Sequence, residues 1–175
     1  MFSLETLDID LKAMKEESQE ASYMLDDEYF KSLDDAQIQK GNVSVTMAIR
    51  KASEDNFTLT MRVEGVVTVQ CDRCLDDMQQ PIEASDTCYV RIGHDNPEED
   101  DDTITVDENE GILRPAWLIY ELIALAIPIK HVHAPGKCND AMTQKLEELS
   151  ATRSGDEDAE EAIDPRWAKL IKLKK

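Results

Sequence analysis

Between two β-like stretches the chain carries Val69-Gln70-Cys71-Asp72-Arg73-Cys74-Leu75, a Cys-x-x-Cys pair around an arginine. Two cysteines at that spacing can bring both sulfurs to one point at a tight turn. The pair suits half of a tetrahedral metal site or a redox dithiol, and it also occurs in packed buried turns. What decides among these is the pattern of the surrounding chain.

That pattern reads as strands. Val43, Val45, Met47 and Ile49 alternate with Ser44, Thr46, Ala48 and Arg50, and Phe57, Leu59, Met61 and Val63 alternate with Thr58, Thr60, Arg62 and Glu64. A period of two, with the polar Ser53-Glu54-Asp55-Asn56 between the runs, predicts an antiparallel hairpin. Gly65 reads as a bulge before the run continues to Cys71. Residues 81–92 form a further strand, with Ile82, Ala84, Asp86 and Cys88 on one face and Tyr89 on the other. Residues 103–106 read as a short strand, and Leu7, Ile9 and Leu11 also alternate.

Helices are expected over residues 21–32, with Tyr23, Met24, Phe30 and Leu33 as apolar points, and over 141–149. A longer one is predicted over 114–127, opened by Pro115 and ended by Pro128, with Trp117 and Tyr120 in the core. The fold expected is α+β: an antiparallel sheet, curved or barrel-like, with flanking helices and a short C-terminal helix.

With 175 residues the chain suits one domain with a sizeable core. Its net charge of −19 is mostly local. Residues 95–110 hold nine acids and 156–164 six more, with no Lys or Arg in either, and without them 23 acids face 19 bases. Like-charge blocks repel and stay extended, so these read as solvated segments. The organisation predicted is a domain over 1–153 with an acidic loop at 95–110, an acidic linker at 154–163 and a basic tail at 164–175. Attraction to a basic partner, such as a ribosomal protein, is the functional alternative for the acids.

The tail reverses the sign: Arg166, Lys169, Lys172, Lys174 and Lys175 are interleaved with Trp167, Leu170, Ile171 and Leu173. Trp167, Leu170 and Ile171 fall on one helical edge, with Asp164 as N-cap and Pro165 at the first position. This is either a plain helix with cations near its C-terminus or a docking element for RNA or another anionic surface.

No apolar run reaches the roughly 18 residues that cross a bilayer. The first residues show no basic cap before an apolar region, so no secretory signal is expected, and the four cysteines point to a reducing cytoplasm. There metal binding or free thiols prevail over disulfides. A zinc ion needs four ligands. Cys138 and one histidine of His131-Val132-His133 can join Cys71 and Cys74, with His133 preferred for its nearness to Cys138 and His131 as the alternative. Cys88, inside a strand, reads as a buried apolar residue. The chain has no Gly-rich phosphate loop, nucleophile elbow or His-Glu-x-x-His helix, so an enzyme is not expected.

The run Cys71-Asp72-Arg73-Cys74-Leu75, then the acidic loop, the helix with Glu121 leading to Leu125-Ala126-Ile127-Pro128, and Asp164-Pro165-Arg166-Trp167 near the end resemble the YceD family over roughly residues 40–175. The resemblance implies a non-enzymatic role in accumulation of 23S ribosomal RNA and large-subunit assembly. Its implied partners are a pre-ribosomal particle, through rRNA or a basic ribosomal protein. Arg73, Arg166, Trp167, Lys169, Lys172 and Lys174 are then the candidate contacts. A zinc-stabilised module that binds only protein, and a thiol redox enzyme using Cys71 and Cys74, are the competing readings.

Overall fold

A computed structural model describes residues 2–33, 38–93 and 103–149. The chain divides into two units, Met1–Asn139 and Asp140–Lys175. The first is built on a five-stranded sheet in the order β2-β3-β4-β5-β6: β2 Ser18–Leu25, β3 Gly41–Lys51, β4 Asn56–Gln70, β5 Asp77–Gly93 and β6 Thr103–Asp107. A second, two-stranded sheet pairs β1, Ile9–Asp10, with β7, Ile112–Leu113. The helices are α1 Asp27–Ser32, α2 Ala116–Leu125 and, in the second unit, α3 Asp140–Leu149. The fold is α+β as expected. The large sheet is open rather than barrel-like, with β2 and β6 as its edges.

The predicted hairpin forms with Val43, Val45, Met47 and Ile49 buried on β3 and Phe57, Leu59, Met61 and Val63 buried on β4. These alternating residues supply one face of the sheet. Onto it packs α2, whose buried Ala116, Ile119, Tyr120 and Ile123 recur at the spacing that puts one stripe on one helix side. Tyr29 of α1 donates its hydroxyl to the Ala116 carbonyl at 2.7 Å, tying the two helices together inside the core.

Several local expectations change. The helix predicted over 21–32 is a strand and then a helix: β2 runs to Leu25 and α1 starts after Asp26, whose carboxylate accepts from the backbone N–H groups of Glu28 and Tyr29. Tyr23 and Met24 satisfy a helical period by coincidence, whereas pairing with β3 (Tyr23 opposite Val45) satisfies the backbone. Leu7 ends a short 3-10 turn, Leu4–Leu7, and only Ile9–Asp10 is strand. Gly65 is not a bulge, since it pairs in continuous register with Val43 on one side and Ile82 on the other. A side chain there would put its Cβ 2.3 Å from the Asn42 carbonyl oxygen and 2.6 Å from the Val43 Cα, so glycine serves close backbone approach.

The sheet is also mixed rather than purely antiparallel. β6 starts opposite Tyr89 and ends opposite Gly93, running parallel to β5. Trp117, expected in the core, is 42 % exposed and lies against the buried Tyr120 with ring centroids 5.1 Å apart. Cys88 is half-buried and packs against the core, in line with its apolar reading. Within the expected acidic loop, 103–107 form β6, and the Asp107 carboxylate accepts from the N–H groups of Asn109 and Glu110 in the turn that follows. Residues 95–102 of that loop, the linker at 154–163 and the tail lie outside the described residues.

Candidate metal centre

The ladder between β4 and β5 persists to Gln70 opposite Asp77, leaving Cys71 to Asp76 to make the reversal. The Cys71 N–H donates to the Asp76 carbonyl and the Leu75 N–H to the Cys71 carbonyl, each at 2.9 Å. This tight knuckle buries both sulfur-bearing residues, Cys71 and Cys74, under the end of the sheet. Two further N–H groups, of Arg73 at 3.4 Å and His133 at 3.5 Å, point at the Cys71 sulfur. The Arg73 side chain itself is exposed at the apex.

The segment after α2 approaches from the other side. Asp72 holds it by two opposed bonds: its N–H donates to the His131 carbonyl at 2.9 Å, and its carboxylate accepts from the His131 N–H at 2.7 Å. The His131 ring faces the Pro128 carbonyl with Nδ1 at 3.0 Å and the Asp72 carboxylate with Nε2 at 3.6 Å. Nδ1 is thereby committed to a carbonyl, Nε2 lies beside the Asp72 carboxylate, and His131 is not part of the sulfur cluster. Farther along, Pro135-Gly136 turns the chain, with the Lys137 N–H donating to the Ala134 carbonyl at 3.0 Å and Gly136 at φ 76°. This is the arrangement of a type II turn, which needs a positive φ at its third residue. It delivers Cys138 back to the knuckle, where the Asn139 amide donates to the Asp76 carboxylate.

Cys71, Cys74, His133 and Cys138 are the result: their four donor atoms lie within 4.8 Å of one another. The Cys71 and Cys138 sulfurs are 3.9 Å apart, and the Cys74 sulfur is 3.4 Å from His133 Nδ1. A tetrahedral zinc with Zn–S of about 2.3 Å and Zn–N of about 2.0 Å requires S···S near about 3.8 Å and S···N near about 3.5 Å. The spacing therefore fits a metal ion, and it is far longer than the S–S bond of about 2.0 Å in a disulfide. All four cysteines are free thiols.

The electrostatics are those of crowded sulfurs. Burial opposes a thiolate at Cys71, but the backbone N–H groups of Cys74, His133 and Arg73 and the Cys74 thiol outweigh it and bring the group down to about 6. Burial and then the neighbouring sulfurs of Cys71 and Cys74 push Cys138 up to about 11. One sulfur is thus ready to carry charge while another keeps its proton, and a bound divalent cation removes that conflict by deprotonating its thiol ligands. Four protein donors make a closed shell of the structural kind. The pair lies in an antiparallel hairpin turn, not at the start of a helix, which is where a thioredoxin-like dithiol belongs.

Of the residues singled out in the sequence, the structure thus brings together Cys71, Cys74, Cys138 and His133, sets His131 apart as a tether, and leaves Arg73 at the surface. Arg166, Trp167, Lys169, Lys172 and Lys174 fall outside the described residues. Sequence reasoning missed Asp72, whose role depends on a segment some 59 positions away. It also missed Leu75, which has a positive φ of 63°. A glycine there would have been the signal, and the chain has a leucine.

Fold and cluster together define an α+β domain whose central hairpin ends in a Cys3His knuckle able to hold a metal ion. A family model described as "Large ribosomal RNA subunit accumulation protein YceD" matches residues 59–174, and the chain belongs to that family. No curated protein and no solved structure matches it. Among the described residues no helix is long and apolar enough to cross a membrane.

Proposed function

We propose that this chain is a non-enzymatic cytoplasmic factor that supports accumulation of 23S ribosomal RNA and assembly of the large ribosomal subunit. The observation that carries the reading is the family match, which spans the knuckle, α2 and the basic tail in one stretch. Cys71, Cys74, Cys138 and His133 would hold a zinc ion, which supplies cross-linking rather than chemistry. Asp72 orients the histidine segment through its paired bonds to His131, and the N–H groups of Arg73 and His133 stabilise charge on the Cys71 sulfur.

The working contacts are assigned to the tail. Arg166, Lys169, Lys172 and Lys174 neutralise phosphates, Trp167 stacks on an exposed base, and the linker at 154–163 sets their reach. Arg73, at the apex of the knuckle, is a further cation available to a phosphate. The acidic surplus favours a basic ribosomal protein as a second partner on the same particle.

The test is the ratio of large- to small-subunit rRNA in cells depleted of the protein. A selective fall, restored by the full chain and not by one lacking residues 164–175, is the expected result. An unchanged ratio would overturn the assembly reading, and full restoration by the truncated chain would overturn the role of the tail.

A further inference from the structure

Leu75, the last apolar residue of the knuckle, is the one non-glycine among the described residues with a positive φ, at 63°. An L side chain in this region crowds its own backbone, and glycine adopts it freely. The same leucine is 61 % exposed. The position therefore carries a strained backbone and an apolar group in water, and no core contact explains keeping a leucine there. Backbone strain retained at an exposed site is a pointer to function.

Leu75 is not isolated. It lines a cleft of about 770 Å³ between the end of β4 and the segment that follows α2, and Ile129, fully exposed, lines the same cleft. Ile38, Val69 and Ile127 continue the apolar wall. The acidic and basic groups in the lining are Asp72, Asp77, Lys40 and His131; Asp72 already accepts from the His131 N–H, and Asp77 is the second acid. Tyr120 is the lining aromatic, but it is buried, and its hydroxyl accepts from the Ile38 N–H.

We propose that this cleft docks a lysine- or arginine-rich polypeptide segment, with Leu75 and Ile129 as apolar lips that grip an aliphatic side chain of the partner. Charge selects the occupant: Asp72 and Asp77 in the lining attract cations and repel phosphates. RNA is the poorer fit, because single-stranded bases are held by exposed aromatic or guanidinium faces and the lips are aliphatic. A few side chains in well-packed, desolvated pockets carry most of the energy of a protein interface, with arginine among the residue types enriched there. The inference rests on the proposed function only for the source of the partner, a basic protein of the large subunit.

The experiment uses the zinc-loaded full chain, immobilised, and two probes: RNA-free protein extracted from large ribosomal subunits, and protein-free ribosomal RNA. Leu75→Gly and Ile129→Ser are compared with the wild type. Retention of defined basic proteins, identified by mass spectrometry, should fall at least about tenfold in both variants, a loss equivalent to about 1.4 kcal/mol. Leu75→Gly should keep its zinc and melt at the same or a higher temperature, since it relieves strain. A purely structural leucine would give the opposite: lower stability and unchanged retention. Should the glycine disturb the turn, Ile129→Ser decides, because a fully exposed side chain holds nothing in place. No retention by the wild type, equal retention by Ile129→Ser, or a fall in RNA binding in place of protein binding would each overturn the proposal. An rRNA ratio unaffected by depletion would remove the assembly role and leave this binding result standing on its own.

Discussion

Asp72→Ala isolates the contact that places the histidine segment against the knuckle. The carboxylate accepts a 2.7 Å bond from the His131 N–H, two residues before His133. A hydrogen bond to a charged group contributes about 1.5–3 kcal/mol. The Asp72 side chain is 41 % exposed, so solvent screening argues for the lower end, about 1.5 kcal/mol. At about 1.4 kcal/mol per factor of ten, zinc affinity should fall about tenfold. That agrees with the lower end of the 10–100-fold cost, roughly, of losing a group that orients a metal ligand. The assay is competition for zinc with a chromogenic chelator at neutral pH. Asp72→Asn retains an acceptor oxygen and should lose less than the alanine variant. His131→Ala retains the backbone N–H and should stay within about threefold of wild type, whereas His133→Ala removes a donor and should lose at least about a hundredfold. Affinity unchanged within twofold in Asp72→Ala, or equal losses at His131 and His133, would show the tether argument to be wrong.

Three further outcomes are expected. Gly65→Ala should destabilise by about 3 kcal/mol, since its Cβ meets the backbone of β3 rather than a movable side chain; a melting temperature lowered by about 6–12 °C checks it. Burial, and after it the neighbouring Tyr120, holds the Tyr29 hydroxyl well above the ordinary tyrosine range. Its stabilising contribution is therefore complete below about pH 10 and declines as pH rises beyond it, and Tyr29→Phe should abolish that alkaline slope while costing about 1 kcal/mol at neutral pH. Removing metal with a chelator should speed amide exchange at Asp72, His131 and His133 and leave the far-ultraviolet dichroism of the sheet intact, because the core cluster of the domain does not include the cysteines of the knuckle.

The fold was most legible where burial is one-sided. β3, β4 and β5 present one face to the core, so their apolar residues alternate cleanly and even the hairpin follows. β2 is an edge strand with little of its surface buried, so its apolar residues are too few to reveal their period, and the end of the strand is marked by the Asp26 cap instead. Strand direction leaves no trace in alternation, which is why the parallel course of β6 was not foreseen. The site divides in the same way. The spacing of Cys71 and Cys74 implies a shared point from local geometry, and proximity in sequence favoured His133. Asp72 and Leu75 act through distant partners or through a backbone angle, and nothing in their neighbours announces either.

The continuous pairing of β4 bears on where this protein can be cut. The region matched by the family opens at Leu59, inside β4, yet β4 is hydrogen-bonded to β3 from Phe57 through Val67. A fragment trimmed to the matched boundary would lose β2 and β3 and leave the long middle strand with a bare flank of unpaired amides beside Leu59, Met61 and Val63. Such a flank is a template for self-association. The smallest soluble piece carrying the knuckle must therefore begin upstream of β2, among residues that the family boundary leaves out.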